Sequence, residues 1–126
     1  MANLTTIFQL STSGVAKDRV NFSASKIAKV KNPAIQTGAA SVLHTGGGTV
    51  LFTAPSGTTA SDGMYAYIRN TDATNFLNVY FGGTNCLKVG PGEITFFCVH
   101  NAQAINTLAD GATVNVEYGY WTLDKY

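Results

Sequence analysis

Turn residues divide residues 75–99 into runs that are each too short to form a helix. The runs lie at 75–81, 86–89 and 94–99, and the first and last are rich in β-branched and aromatic residues. Strands have this composition and length, whereas a stable helix needs about 10 to 12 residues. The last turn, Gly-Pro-Gly-Glu at residues 90–93, is built from the strongest interrupters of regular structure. This segment therefore predicts antiparallel β-structure.

The residues on either side of the 90–93 turn also predict how the two flanking strands pair. The pattern gives three facing pairs: Val89 with Ile94, Leu87 with Phe96, and Asn85 with Cys98. In this register one face of the hairpin is apolar and consists of Leu87, Val89, Ile94, Phe96 and Cys98. A shift by one residue would mix apolar and polar side chains on both faces. In the favoured register Cys86 does not face Cys98, which argues against a disulfide between them.

Alternating patterns predict strands along most of the remaining chain. They cover residues 4–10, 20–25, 40–44, 49–54, 64–70 and 113–120. Ile27 breaks the phase of the second run, which indicates a bulge, a kink or two short strands, and a short helix over 24–30 is the alternative. Two candidate core faces stand out: Leu77, Val79 and Phe81 in one run, and Val114, Val116, Tyr118 and Tyr120 in another.

About nine or ten short strands with no long helix predict an all-β, antiparallel sandwich. The long connections at 55–63 and 100–111 suit crossings between sheets, so a jelly roll is the favoured form. Asn32-Pro33 separates an N-terminal arm, residues 1–35, from a single β-sandwich domain, residues 36–126.

The predicted arm holds five of the eight basic residues: Lys17, Arg19, Lys26, Lys29 and Lys31. Such a cluster is commonly a solvated surface. The functional alternative is an arm that docks on an acidic partner and is steered by charge. The whole chain has a net charge of only +1, so we expect neither a nucleic-acid nor a membrane partner.

Candidate catalytic and metal-binding motifs are weak in this sequence. Residues 44–48, His-Thr-Gly-Gly-Gly, are similar to the oxyanion loop of esterases. That loop acts together with a nucleophilic serine in a Gly-x-Ser-x-Gly motif, which this sequence does not contain. The possible zinc ligands are His44, Cys86, Cys98 and His100, but the usual Cys-x2–4-Cys knuckle is absent. The acidic residues fall mostly at turns, where carboxylates cap backbone groups. We therefore expect no enzymatic activity, no metal and no cofactor.

Tyrosines and a single tryptophan give the sequence a second functional hypothesis. Trp121 is the candidate exposed aromatic contact, whereas Tyr118 and Tyr120 are expected in the core. Exposed rings on a β-sandwich can stack on sugars or anchor a protein interface.

Four segments resemble small β-sandwich virion proteins of tailed bacteriophages. These segments, which lie within residues 64–121, are Tyr-Ile-Arg-Asn at 67–70, the run at 75–83 ending in Phe-Gly-Gly, Leu-Lys-Val-Gly-Pro-Gly-Glu at 87–93, and Asp-Gly-Ala-Thr-Val-Asn-Val at 110–116. In size and composition the chain is most similar to capsid cement (decoration) proteins.

The resemblance implies a non-enzymatic jelly roll with an N-terminal arm that reinforces the assembled capsid. The implied partners are the major capsid protein and further copies of the chain, with a trimer favoured. The N-terminus carries no signal-peptide pattern, so we expect synthesis in a cytoplasm. The resemblance implies that this is the cytoplasm of the host and that the protein ends on the capsid exterior. A tail or fibre component, or a glycan-binding module, are the alternatives.

Overall fold

The computed structural model describes residues 2–11, 21–30, 36–53, 64–99 and 104–122. These residues form ten strands and no helix. The strands are β1 (Ala2–Ser11), β2 (Asn21–Val30), β3 (Gln36–Val42), β4 (Thr49–Thr53), β5 (Met64–Asn70), β6 (Leu77–Phe81), β7 (Thr84–Val89), β8 (Ile94–Val99), β9 (Ala104–Ala109) and β10 (Val114–Thr122).

Eight of these strands form a sandwich of two four-stranded antiparallel sheets. The first sheet has the order β3-β10-β5-β8, and the second has the order β4-β9-β6-β7. Both sheets contribute apolar side chains to one core: Val42, Ala66, Ile68, Val114 and Val116 from the first, and Leu51, Leu77, Val79, Val89, Ile105 and Ala109 from the second. The predicted all-β antiparallel sandwich and the two predicted core faces are therefore confirmed.

The predicted pairing across the 90–93 turn is wrong. β7 pairs with β6 in the second sheet, whereas β8 pairs with β5 in the first. Val89 is 1% exposed and Ile94 is 65% exposed, so they do not share an apolar face. The turn carries the chain from one sheet to the other.

Turn geometry explains this correction. Gly92 has a φ of 73°, and the Glu93 amide donates to the Gly90 carbonyl at 3.1 Å. With Pro91 before Gly92, this is the pattern of a type II turn, which splays the flanking strands instead of pairing them. The paired hairpin lies one turn earlier, where Gly82 and Gly83 have φ values of 58° and 86°. Two successive positive φ values define the type I′ turn that matches the strand twist.

The segment predicted as a crossing, residues 100–110, contains an unpredicted strand. β9 lies between β4 and β6 in the second sheet. Ile105 and Thr107 are both fully buried, and Thr107 Oγ1 donates to the Thr49 carbonyl at 2.8 Å. Thr107 and Ala109 occupy core positions in β9. Because these two residues are polar or small, the hydrophobic alternation of this strand is too weak to predict it from the sequence.

The described part of the N-terminal arm is a two-stranded antiparallel hairpin, called the arm hairpin below. Its pairing runs without a break from Ala2 opposite Val30 to Ser11 opposite Asn21. Neither the predicted bulge nor the alternative helix over 24–30 is present. The arm hairpin shares no strand ladder with either sheet of the sandwich.

Asn70 fastens the two sheets together at the point where the chain crosses between them. Its side chain is fully buried, and Nδ2 donates to the Asn75 carbonyl at 2.9 Å and the Val89 carbonyl at 3.1 Å. The side-chain oxygen Oδ1 accepts from the backbone amide of Asp72 at 2.8 Å, and the backbone amide of Asn70 donates to the Glu93 carbonyl at 2.9 Å. Asn70 therefore holds both ends of the 90–93 turn.

Replacing this amide with a carboxylate should be costly. In Asn70→Asp, two donated hydrogen bonds are lost and a buried carboxylate faces two carbonyl oxygens. We expect the free energy of unfolding to fall by about 2–4 kcal/mol, measured by urea denaturation. Asn115→Asp is the control, because Asn115 is exposed and its Oδ1 only accepts from Ser41 Oγ, a role that a carboxylate keeps. Equal stability of the two variants would contradict this role for Asn70.

Asp72 orders the loop at residues 71–76, next to Asn70. Its carboxylate accepts from the Asn75 amide at 2.6 Å and from the Thr74 amide at 3.0 Å. These backbone hydrogen bonds, that from Asn75 first, lower the pKa of Asp72 below its ordinary value of 3.8. A carboxyl group whose pKa is lower in the folded state stabilises the fold above its unfolded pKa, and this stabilisation disappears as the pH falls.

The pH dependence of stability can test this contribution. At about pH 5 wild-type protein should be more stable than Asp72→Asn, and the difference should shrink as the pH falls below 3.8 and the carboxyl group becomes protonated. Urea denaturation across this range measures the difference. A difference that does not change with pH would show that the charge of Asp72 has no part in ordering the loop.

Candidate interaction surface

Apolar and aromatic side chains cover the outer face of the first sheet, on the side away from the core. Alternation along β5, β8 and β10 places them there. We call this set the outer aromatic patch: Tyr65, Tyr67, Ile94, Phe96 and Trp121. Ile94 is 65% exposed and Phe96 is 38% exposed, whereas Tyr67 and Trp121 are half-buried. Arg69 and Glu117 form a salt bridge on the same outer face, with 3.6 Å between Nη1 and Oε2.

Ring contacts hold the outer aromatic patch in place. The centroids of Tyr65 and Phe96 are 5.5 Å apart in an edge-to-face arrangement, and those of Tyr67 and Trp121 are 5.7 Å apart. Gly119, opposite Tyr67 in the ladder, leaves room for the tyrosine ring, because a Cβ there would lie 2.5 Å from Tyr67 Cε1. The sheet therefore orders these rings before any partner binds.

A methyl group at Gly119 should disturb this surface. In Gly119→Ala the Tyr67 ring must move, which we expect to lower stability by about 1–3 kcal/mol. Because Trp121 is the single tryptophan and contacts Tyr67, its fluorescence spectrum should also change. Gly47→Ala is the control, since nothing lies within 4 Å of a Cβ at that position. Unchanged fluorescence and stability in Gly119→Ala would contradict the close packing.

A cleft of about 760 Å³ separates the outer aromatic patch from the arm hairpin. Residues 4–10 of β1 form one wall, and Tyr67, Ile94, Phe96 and Trp121 contribute to the other. On the hairpin, Phe8 and Leu10 remain 48% and 50% exposed. Both walls are thus largely apolar, and the contact between them is incomplete.

The opposite face of the arm hairpin carries the two most exposed large apolar residues of the described chain. Ile7 is 74% exposed and Ile27 is 67% exposed. The register pairs Thr5 with Ile27 and Ile7 with Ser25, so the two isoleucines are diagonal neighbours on one face. We call this surface the outward face of the arm hairpin.

The basic residues predicted for the arm are only partly described. Lys26 is exposed on β2, and Lys29 also belongs to β2. Lys17, Arg19 and Lys31 lie outside the described residues. Docking of this cluster on an acidic partner stays a prediction.

Trp121 is half-buried in a wall of the cleft, tilted by 34° against Tyr67. Its Nε1 is buried and has no hydrogen-bond partner in the described structure. The aromatic contact predicted for Trp121 therefore falls within the cleft. Sequence reasoning missed Ile94 and Phe96 as surface residues, because it assigned β8 to the wrong partner strand.

The candidate metal ligands are not brought together in the described part of the chain. Cys86 and Cys98 are free, exposed and on different sheets, and His44 is exposed. His100 lies outside the described residues. Across the described ranges, no group of three or more histidine, cysteine or acidic side chains could hold a metal ion. Asn70 and Thr107 are the buried polar residues there, and neither ionises.

No protein-family model and no curated protein matches this chain. Within the described residues, no helix has the length and apolar character needed to cross a membrane. Two described surfaces could bind a partner through hydrophobic and aromatic contacts: the outer aromatic patch and the outward face of the arm hairpin.

Proposed function

We propose that this chain is a non-enzymatic structural protein of a tailed-phage virion, a cement protein that binds the assembled capsid and stabilises it. The observation that carries the proposal is the outward face of the arm hairpin, where Ile7 and Ile27 are 74% and 67% exposed. Exposed apolar side chains side by side are typical of a surface that a partner protein covers. The motif resemblance within residues 64–121 supports a partner in the capsid.

The strand connections support the finer fold that this proposal includes, a jelly roll. Jelly rolls have eight strands in two sheets. Strands β3 to β10 are eight in number and are divided equally between two sheets. Of their seven connections, only the one from β6 to β7 stays within a sheet, and the other six cross between sheets.

Mass action explains how such a protein would strengthen a capsid. A ligand that binds only the assembled lattice stabilises that lattice by an amount that grows with its free concentration relative to its dissociation constant. Burying the two isoleucines would supply most of the affinity, and the basic residues of the arm would steer the encounter with an acidic capsid surface. In this proposal the protein is made in the host cytoplasm and ends on the capsid exterior.

Capsids assembled without this protein provide the test. Purified protein should bind them and raise the temperature at which they break open. The double variant Ile7→Ser, Ile27→Ser should bind on the order of 100-fold more weakly, since each buried isoleucine contributes about 1.5–3 kcal/mol. Val50→Ser is the control, because Val50 is 55% exposed but lies on β4 of the second sheet.

Absence of binding to these capsids, together with unchanged heat resistance, would overturn the cement function. Binding to isolated tails instead of capsids would assign the protein to the tail or fibre.

The aromatic wall of the cleft favours one alternative function, a glycan-binding module. Tyr67 and Trp121 lie side by side there, with ring centroids 5.7 Å apart, and present aromatic rings on which a sugar could stack. A glycan array would decide between the two functions: reproducible hits that disappear in Trp121→Phe would favour glycan binding, and an array without hits would exclude it.

A further inference from the structure

We propose that copies of this chain exchange their arm hairpins, so that the outer aromatic patch of one copy is covered by the arm hairpin of a second copy. This inference concerns the cleft side of the hairpin and does not depend on the cement function, which uses the outward face.

The first support is that the arm hairpin and the patch of one chain face each other without closing. The cleft between them has a volume of about 760 Å³ and is open to solvent. Phe8 and Leu10 on one wall, and Ile94 on the other, keep about half or more of their surface exposed. An isolated two-stranded hairpin is marginally stable in water, so the arm needs a better-fitting surface than this cleft provides.

The second support is the unprotected edge strand β8, next to the patch. β8 pairs on one side only, with β5, and its sequence Ile-Thr-Phe-Phe-Cys-Val has no charged residue and no proline. The edge strands of the second sheet differ, because β4 and β7 each pair across an irregularity and β7 contains Lys88. Natural sheets protect their edges by such devices or by covering them. The edge at β8, like that at β3 at the other side of the sheet, has none of these devices, so it favours cover by another chain segment.

The available surface matches what a specific interface needs. Phe8, Leu10, Ile94 and Phe96 are between 38% and 65% exposed. At roughly 200 Å² for each full side chain, they expose on the order of 400 Å² per chain. Reciprocal exchange between two copies would bury this area twice, or about 800 Å² of apolar surface. Since about 60% of an interface is apolar, the total reaches the usual range of about 1,200–2,000 Å².

The chain connection favours a second copy as the occupant. Only residues 31–35 join the arm hairpin to β3, and they include Pro33. Short hinge segments promote exchange of an element between identical chains. The arm hairpin already presents an apolar wall to this patch, and every copy supplies both surfaces.

A native cysteine allows the exchange to be trapped covalently. Burial raises the pKa of the Cys98 thiol, and the positive charge of Lys26 partly offsets this rise. The strand registers place Lys26 opposite Thr6 on the cleft side of the arm hairpin, and Cys98 opposite Tyr65 on the outer face of β8. The variant Lys26→Cys, made with Cys86→Ser to remove the other thiol, leaves thiols only at positions 26 and 98. Cys86→Ser alone, which keeps Lys26, is the control for a disulfide between two copies of Cys98.

The disulfide distinguishes exchange from closure within one chain. We expect the reduced variant to have at least twice the 13.3 kDa mass of one chain by light scattering. After mild oxidation, electrophoresis without reductant should show covalent oligomers, and adding Cys98→Ser should abolish them. A monomeric mass, a disulfide within a single chain, or an oligomer that does not become cross-linked would each overturn the proposal.

A surface variant provides a second measurement that does not need oxidation. Ile94→Ser removes an exposed apolar contact and should weaken self-association about tenfold or more, with the circular dichroism spectrum unchanged. Val50→Ser should associate like the wild type. A monomer that still binds capsids would reject exchange alone, and an oligomer that does not bind capsids would reject the cement function alone.

Discussion

The hydrogen bonds of Asn70 are the constraint on which the rest of the sandwich depends. Asn70 is a buried amide in a largely apolar core, and it bonds to Val89 at the end of the second sheet and to Glu93 just before the first sheet resumes. Because Ile94 follows directly and pairs with Arg69, this crossing sets the register of β8 on β5. The same register turns Ile94 and Phe96 away from the core. A buried polar contact thus determines where the apolar outer surface lies.

Local patterns predict those strands whose alternation is strong and whose neighbours are close in sequence. The runs at 64–70 and 75–81 closely match β5 and β6, and the alternation from Val114 onward marks the core face of β10. The sequence does not show which sheet each strand joins, because that depends on contacts between distant segments. The type II pattern of Pro91-Gly92, compared with the Gly82-Gly83 pair, was the available signal that β7 and β8 belong to different sheets.

For the candidate surface, the sequence predicts the types of residue involved but not how they are arranged. The aromatic residues and the N-terminal arm can be identified from the sequence, and the charge of the arm drew attention to its lysines. Alternation along β1 turns Ile7 to one face and Phe8 and Leu10 to the other. Ile27 lies beside Ile7, however, only because β1 pairs with β2 in this register. That register connects positions about 20 residues apart, and local alternation does not encode it. Sheet membership and strand register, both nonlocal, therefore account for most of what sequence reasoning missed.

The two apolar surfaces of the arm hairpin can act in sequence. A hairpin attached by five residues and packed loosely over a cleft would lose considerable freedom on binding a lattice, and this ordering cost would weaken the affinity. Closing the cleft with the hairpin of a second copy would order it beforehand and leave Ile7 and Ile27 on a rigid support. Binding through several linked copies would then add effective concentration without any new type of contact. Self-association would therefore increase the affinity for a repetitive lattice, and under both proposals the exposed apolar residues on each face of the arm hairpin have a role.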